Sequence, residues 1–120
     1  MPRVLLLGED ELLLRTRAAV LKTTGADILL CRPEAAMLDH GIGVVDVVVI
    51  CHSVPREERQ SLAVELRERW PQCRVLQIVK FQQESTLSQP HADAVAFAAN
   101  PAEVTALTAA LLRNPKQTSG

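Results

Sequence analysis

Short apolar runs alternate along this chain with longer stretches in which apolar residues return every three or four positions. Val4–Leu7 is one continuous run, and Val44–Ile50 is another, interrupted only by Asp46. Runs of this length, apolar at successive positions, fit strands covered on both faces, as in parallel sheets. Ile28–Cys31, Val75–Val79 and Ala94–Ala98 are weaker runs of the same kind. Between them the period changes. In Glu11–Thr24, Leu14, Ala18 and Leu21 recur at helical spacing, and Gly25 supplies a stop. Glu57–Trp70 places Leu62, Leu66 and Trp70 on one stripe before the breaker Pro71. Asn100-Pro101-Ala102-Glu103 has the features of a helix start: a capping residue, Pro at the first helical position and an acid three residues beyond the cap. Val104, Leu107 and Leu111 then form an apolar stripe. Pro33–Asp39 reads as a short second helix ending near Gly41. Gln82–Gln89 reads as a short helix or a loop.

The predicted order is therefore β-α-β-α-β-α-β-(α)-β-α. Such alternation predicts an α/β domain with a parallel sheet, helices on both faces and right-handed crossovers. In sheets of this kind the functional crevice lies outside the carboxyl ends of the strands. The positions to inspect are Gly8–Asp10, Cys31, Cys51–Pro55, Val79–Lys80 and Ala98–Asn100.

Composition narrows the choices. The 120 residues fit one domain, expected over 1–113, with a frayed polar tail over 114–120. A chain of this size buries roughly two-thirds of its unfolded surface, so it needs no metal or disulfide staple. Apolar residues make up 48% and charged residues 22%, a globular balance. The net charge is −1 and the basic residues are scattered, which argues against a nucleic-acid footprint. Only Trp70, Phe81 and Phe97 are aromatic, too few for a base-stacking platform. Cys31, Cys51 and Cys73 lack paired spacing and suit a reducing compartment. No run is long enough for a signal segment or a membrane span, so a cytoplasmic location is expected.

The strand ends carry a family resemblance. Arg3-Val4-Leu5-Leu6-Leu7-Gly8-Glu9-Asp10-Glu11 resembles the opening of a response-regulator receiver domain, in which a strand ends in an acidic pair and leads into the first helix. Asp46–Pro55 is similar to the third-strand motif, an Asp-led apolar run that ends in the phosphoacceptor, with Pro four residues later. Val75–Lys80, Ala92-Asp93-Ala94 and Ala102-Glu103-Val104 are similar to the fourth strand, the start of the fifth, and the last helix. The resemblance spans residues 3 to 113. It implies a CheY-like, flavodoxin-like three-layer sandwich: a doubly wound five-stranded parallel sheet with strand order 2-1-3-4-5.

Receiver chemistry needs a carboxylate nucleophile to form an acyl phosphate, an acidic pair for Mg²⁺, and a Lys and a Ser/Thr around the transferred group. The resemblance places the nucleophile on Cys51, the acidic pair on Gly8 and Glu9, the Ser/Thr on Val79, the Lys on Ala98 and the aromatic switch residue on Val95. Of these positions only Glu9 keeps its chemical type. A thiol cannot form the acyl phosphate, and one carboxylate is a poor Mg²⁺ cage. The expectation is a degenerate receiver that is not an enzyme, takes no cofactor, and works in two-component (phosphorelay) signalling by phosphate-independent protein interaction. Expected partners are a histidine kinase, another regulator or a second copy as a homodimer.

Each candidate has a plainer reading. Glu9 and Asp10 are candidate cation ligands, or simply favour the start of the first helix by charge and capping. Cys51 is a candidate reactive thiol with Lys80 nearby, which makes a thiol-based redox or ligand sensor the alternative function, or it fills a vacated pocket as a buried residue. A zinc site from Cys51 and His52 with Cys31 or His40 lacks paired spacing. Lys80 either replaces the missing basic group or is a solvated charge. His91 reads as solvated. An enzyme on this kind of sheet is disfavoured by the absence of a Gly-rich phosphate loop after the first strand.

Overall fold

The computed structural model describes residues 2–33, 43–80 and 92–113. Five parallel strands form one sheet: β1 (Arg3–Leu7), β2 (Asp27–Cys31), β3 (Val47–Ile50), β4 (Arg74–Val79) and β5 (Ala94–Phe97). Their order across the sheet is β2-β1-β3-β4-β5, the expected one. Among the described residues, three helices pack on the sheet: α1 (Glu11–Leu21), α2 (Arg56–Arg69) and α3 (Pro101–Arg113). Of the short second helix expected over Pro33–Asp39 only Pro33 is described; residues 34–39, the stretch Gln82–Gln89, His40, His91 and the tail 114–120 lie outside the described residues.

The strand period of two divides the core into two layers. Val4, Leu6, Val47, Val49, Leu76, Ile78 and Ala96 face α1 and α3, where Leu14, Ala18, Leu21, Val104 and Leu111 meet them. Leu5, Leu7, Val48, Ile50 and Val75 face α2 and its Leu62, Ala63 and Leu66, with Trp70 closing that layer. Because both faces are covered, β1 and β3 have almost no polar positions. Each fully buried aliphatic side chain contributes about 1.5–3 kcal/mol. Leu66 is fully buried, and its truncation to Ala would cost about 2–5 kcal/mol.

Local signals set the helix ends. Asp10 caps α1, its Oδ1 accepting the Leu13 N–H at 3.1 Å. α1 tightens into a 3-10 turn over Lys22–Thr24 and stops at Gly25, whose φ of 86° a side chain would disfavour. Asn100 caps α3, accepting the Glu103 N–H at 3.1 Å, and Pro101 takes the first helical position.

β1, β2 and β4 each begin one residue before the apolar run that predicts them, at Arg3, Asp27 and Arg74, and two other boundaries lie inside theirs. Val44 is 73% exposed and β3 begins only at Val47. The intervening Asp46 is anchored elsewhere, accepting the Arg3 N–H at 2.8 Å. Ala98 falls just past the end of β5, in the turn before α3.

Candidate functional site

The strand order reverses direction between β1 and β3, so the crevice of this fold opens at the carboxyl ends of these two strands. Leu7 pairs with Ile50, which sets Gly8 and Cys51 side by side at that end. The Cys51 N–H donates to the Leu7 carbonyl at 2.9 Å, continuing the ladder by one residue. A Cβ built on Gly8 would lie 3.3 Å from the Cys51 Cβ, 3.0 Å from the Ser53 Oγ and 2.9 Å from Leu14 Cδ2. The position that the receiver resemblance assigns to the first carboxylate is therefore filled from three sides, and only glycine fits there without a shift.

Glu9 and Asp10 follow. The Glu9 backbone N–H donates to the Ser53 Oγ at 3.0 Å, tying the β1–α1 turn to the loop after β3. The Asp10 carboxylate is engaged in capping α1. Among the described residues, no group of three or more His, Cys, Asp or Glu side chains could hold a metal ion.

Cys51 is fully buried and belongs to the layer under α1 and α3. Burial pushes its thiol pKa up; the positive charge of Arg17 and a hydrogen bond from it pull the other way without winning. The cation that acts on Cys51 thus comes from α1 and is Arg17, not the expected Lys80, which is exposed at the end of β4. Arg17 Nη2 also lies 3.4 Å from His52 Nδ1. A guanidinium has donors only, so this contact is a hydrogen bond in the tautomer whose Nδ1 accepts.

Val79 is fully buried in β4, and Ala98 is half-buried against the core under α1 and α3. Neither side chain can donate or accept a hydrogen bond. Cys31 packs against the opposite layer from Cys51, on the α2 side of the sheet. The sheet therefore separates the two thiols, which removes a Cys31–Cys51 disulfide and any zinc site that joins them.

The sequence reading gives no role to Arg17 or Ser53. A signal for Arg17 exists: Leu14, Arg17, Ala18 and Leu21 fall at i, i+3, i+4 and i+7, the spacing of the buried stripe. A long cation at such a position reaches along the core edge to the strand ends. Ser53 has no comparable signal, because its contact depends on Gly8 forty-five residues earlier.

No family model matches the chain, and no curated protein does. Solved structures do. A response-regulator receiver domain of Francisella superposes with a TM-score of 0.78 at 18% identity, covering 94% of this chain and 98% of that one. The response regulator TrrA of Thermotoga maritima, in complex with Mg²⁺ and BeF, gives 0.77 at 20% identity over 92% and 99%. A CheY-like receiver domain protein of Methanospirillum hungatei gives 0.74 at 15% identity over 94% and 95%. The chain therefore has the CheY-like, flavodoxin-type fold over nearly its whole length. Among the described residues, no helix is long and apolar enough to cross a membrane.

Proposed function

We propose that this chain is a receiver-like protein of two-component signalling that takes no phosphoryl group and acts by presenting a fixed surface to a protein partner. The partner would be a histidine kinase, another regulator or a second copy of the chain. Catalysis and a bound cofactor have no part in this reading, nor does a contact with nucleic acid or membrane. The observation that carries it is Cys51: a fully buried thiol whose proton is held tightly stands at the end of the central strand. A carboxylate would be needed there to attack phosphorus. Three further features agree. Gly8 leaves no room for the first metal-binding carboxylate. Asp10 is spent on capping. Val79 and Ala98 offer nothing to a transferred phosphate.

The test is incubation with acetyl phosphate and Mg²⁺ followed by intact-mass measurement. No gain of a phosphoryl group is expected; stoichiometric labelling would overturn the reading.

The second reading, a sensor that uses the Cys51 thiol, is favoured by Arg17, whose positive charge favours the thiolate. Burial opposes it, and so does the position of Cys31 across the sheet. The rate of Cys51 with a neutral thiol reagent separates the two. A rate below that of an unfolded control at pH 7 supports the non-sensor reading; a faster one supports the sensor.

A further inference from the structure

The loop from Cys51 to Pro55 joins β3 to α2 and has no regular structure of its own. Such a loop is ordinarily the mobile part of a domain. Here it is caught twice, at adjacent residues, by two different elements. The Ser53 hydroxyl accepts the Glu9 N–H at 3.0 Å, from the turn that follows β1. His52 Nδ1 lies 3.4 Å from Arg17 Nη2, on α1. A third contact stiffens the loop from within: the Val54 N–H donates to the Cys51 carbonyl at 3.1 Å.

Gly8 makes the first contact sterically allowed. The Ser53 Oγ sits 3.0 Å from where a Cβ of residue 8 would be, so any side chain there would compete with the hydroxyl for the same space. The glycine and the serine are thus parts of one arrangement, although forty-five residues separate them in sequence. Arg17 works from the other side. Its positive charge acts on the Cys51 thiol, and the same guanidinium lies 3.4 Å from the ring of the next residue, His52. A single side chain of α1 spans the end of β3 and the beginning of the loop.

We propose that these contacts form a clasp that holds the β3–α2 loop in one closed arrangement, so that the surface beside it is always presented and does not wait for a ligand. The proposal rests on the phosphate-independent reading above and specifies how that surface is kept constant. A regulated loop would need two arrangements of similar free energy. A loop held by a backbone donor, a side-chain donor and close packing against Gly8 has one.

Residue-resolved hydrogen exchange and relaxation dispersion on the full chain test this. In the native protein the Glu9 amide is expected to exchange slowly, and the amides of His52, Ser53 and Val54 are expected to show no microsecond-to-millisecond exchange. Ser53→Ala removes the acceptor and should speed Glu9 exchange about tenfold or more. The Leu66 amide in α2 should keep its native rate and so report that the fold is intact. Arg17→Met keeps the length of the side chain and removes its donors; it should introduce dispersion at His52 and Ser53. Native-like Glu9 exchange in Ser53→Ala would overturn the clasp, as would loop dispersion already present in the native protein. These outcomes are independent of the acetyl phosphate assay. Phosphoryl labelling would sink the functional reading whatever the loop does, and a mobile loop without labelling would sink the clasp alone.

Discussion

The two ends of the sheet use carboxylates in opposite ways. At the amino ends of the strands, Asp46 accepts the Arg3 N–H, and the Arg3 guanidinium lies 3.6 Å from Asp27. Asp93 accepts both the Val75 N–H and Arg67 Nη2 at 2.7 Å, with Arg74 3.8 Å away. At the carboxyl ends, where the fold places its crevice, the corresponding positions hold Gly8, Cys51, Val79 and Ala98. The acids that join strands to their neighbours are present; of the three carboxylates that the receiver resemblance expects at the crevice, only Glu9 is there, with Gly8 and Cys51 at the other two positions. The contrast separates two demands on one residue type. An acid that accepts a strand's backbone N–H helps to specify the fold, whereas an acid at the crevice serves a reaction and can be lost without unfolding the sheet.

The sharpest way to break this contrast is at its structural end. Asp93→Ala removes a part-buried acceptor from one backbone donor and from Arg67 together. Urea unfolding should show a loss of about 2–3 kcal/mol. A loss below about 0.5 kcal/mol would mean that the amino-end acids are no more structural than any surface charge.

The next effect is at the crevice. Gly8→Asp restores an acid where the receiver resemblance expects one, but its Cβ would meet Leu14, Ser53 and Cys51 at 2.9 to 3.3 Å. Crowding should destabilise the chain by about 1–3 kcal/mol, and the variant should still take no phosphoryl group. A variant as stable as the native protein would show that the crevice is open after all.

A smaller effect appears in alkali. The folded Cys51 thiol titrates above the ordinary value of 9.0 because burial disfavours the thiolate. Above about pH 9 the unfolded chain releases this proton while the folded chain keeps it, so stability falls as pH rises. The decline continues until the pH reaches the folded pKa and has a slope of up to about 1.4 kcal/mol per pH unit. Below pH 9 both states hold the proton and Cys51 contributes no slope. Cys51→Ala should remove this part of the alkaline decline, which denaturation at a series of pH values would reveal. An unchanged slope would place the thiol in water.

The smallest effect is expected at the one surviving acid. Glu9 meets the loop after β3 through its backbone N–H, which donates to the Ser53 hydroxyl, and not through its carboxylate. Glu9→Gln should therefore shift stability by no more than about 0.5 kcal/mol and leave Mg²⁺ titrations featureless. A Mg²⁺-dependent stabilisation lost in this variant would return the crevice to metal chemistry.

Much of the fold was legible because burial on both faces leaves a plain mark. Val4–Leu7 has no polar letter, and the resulting strand lies inside the sheet, between β2 and β3. The stripe of Leu62, Leu66 and Trp70 and the cap at Asn100 are equally local signals. The apolar letter alone misplaced the start of β3, because Val44 looks like Val47 in composition yet lies in an exposed approach. At the site, residue types at the strand ends showed which receiver side chains have no counterpart in the sequence. They could not show what fills the space, since that depends on contacts between distant segments. Arg17 was given no role, and Lys80 drew attention only by sitting next to a strand end. A one-dimensional pattern shows which face a residue is on, but not how far a long side chain leans across it.

Gly8 has one more consequence. Three neighbours have settled into the space it leaves, so a substitution towards an acid meets resistance before any benefit could be felt. Leu14 and Ser53 would have to change in concert, and each alone would loosen a well-packed core or a turn. Such a position is interlocked with its surroundings: a side chain placed on residue 8 displaces Leu14, Ser53 or Cys51 before it adds any contact of its own.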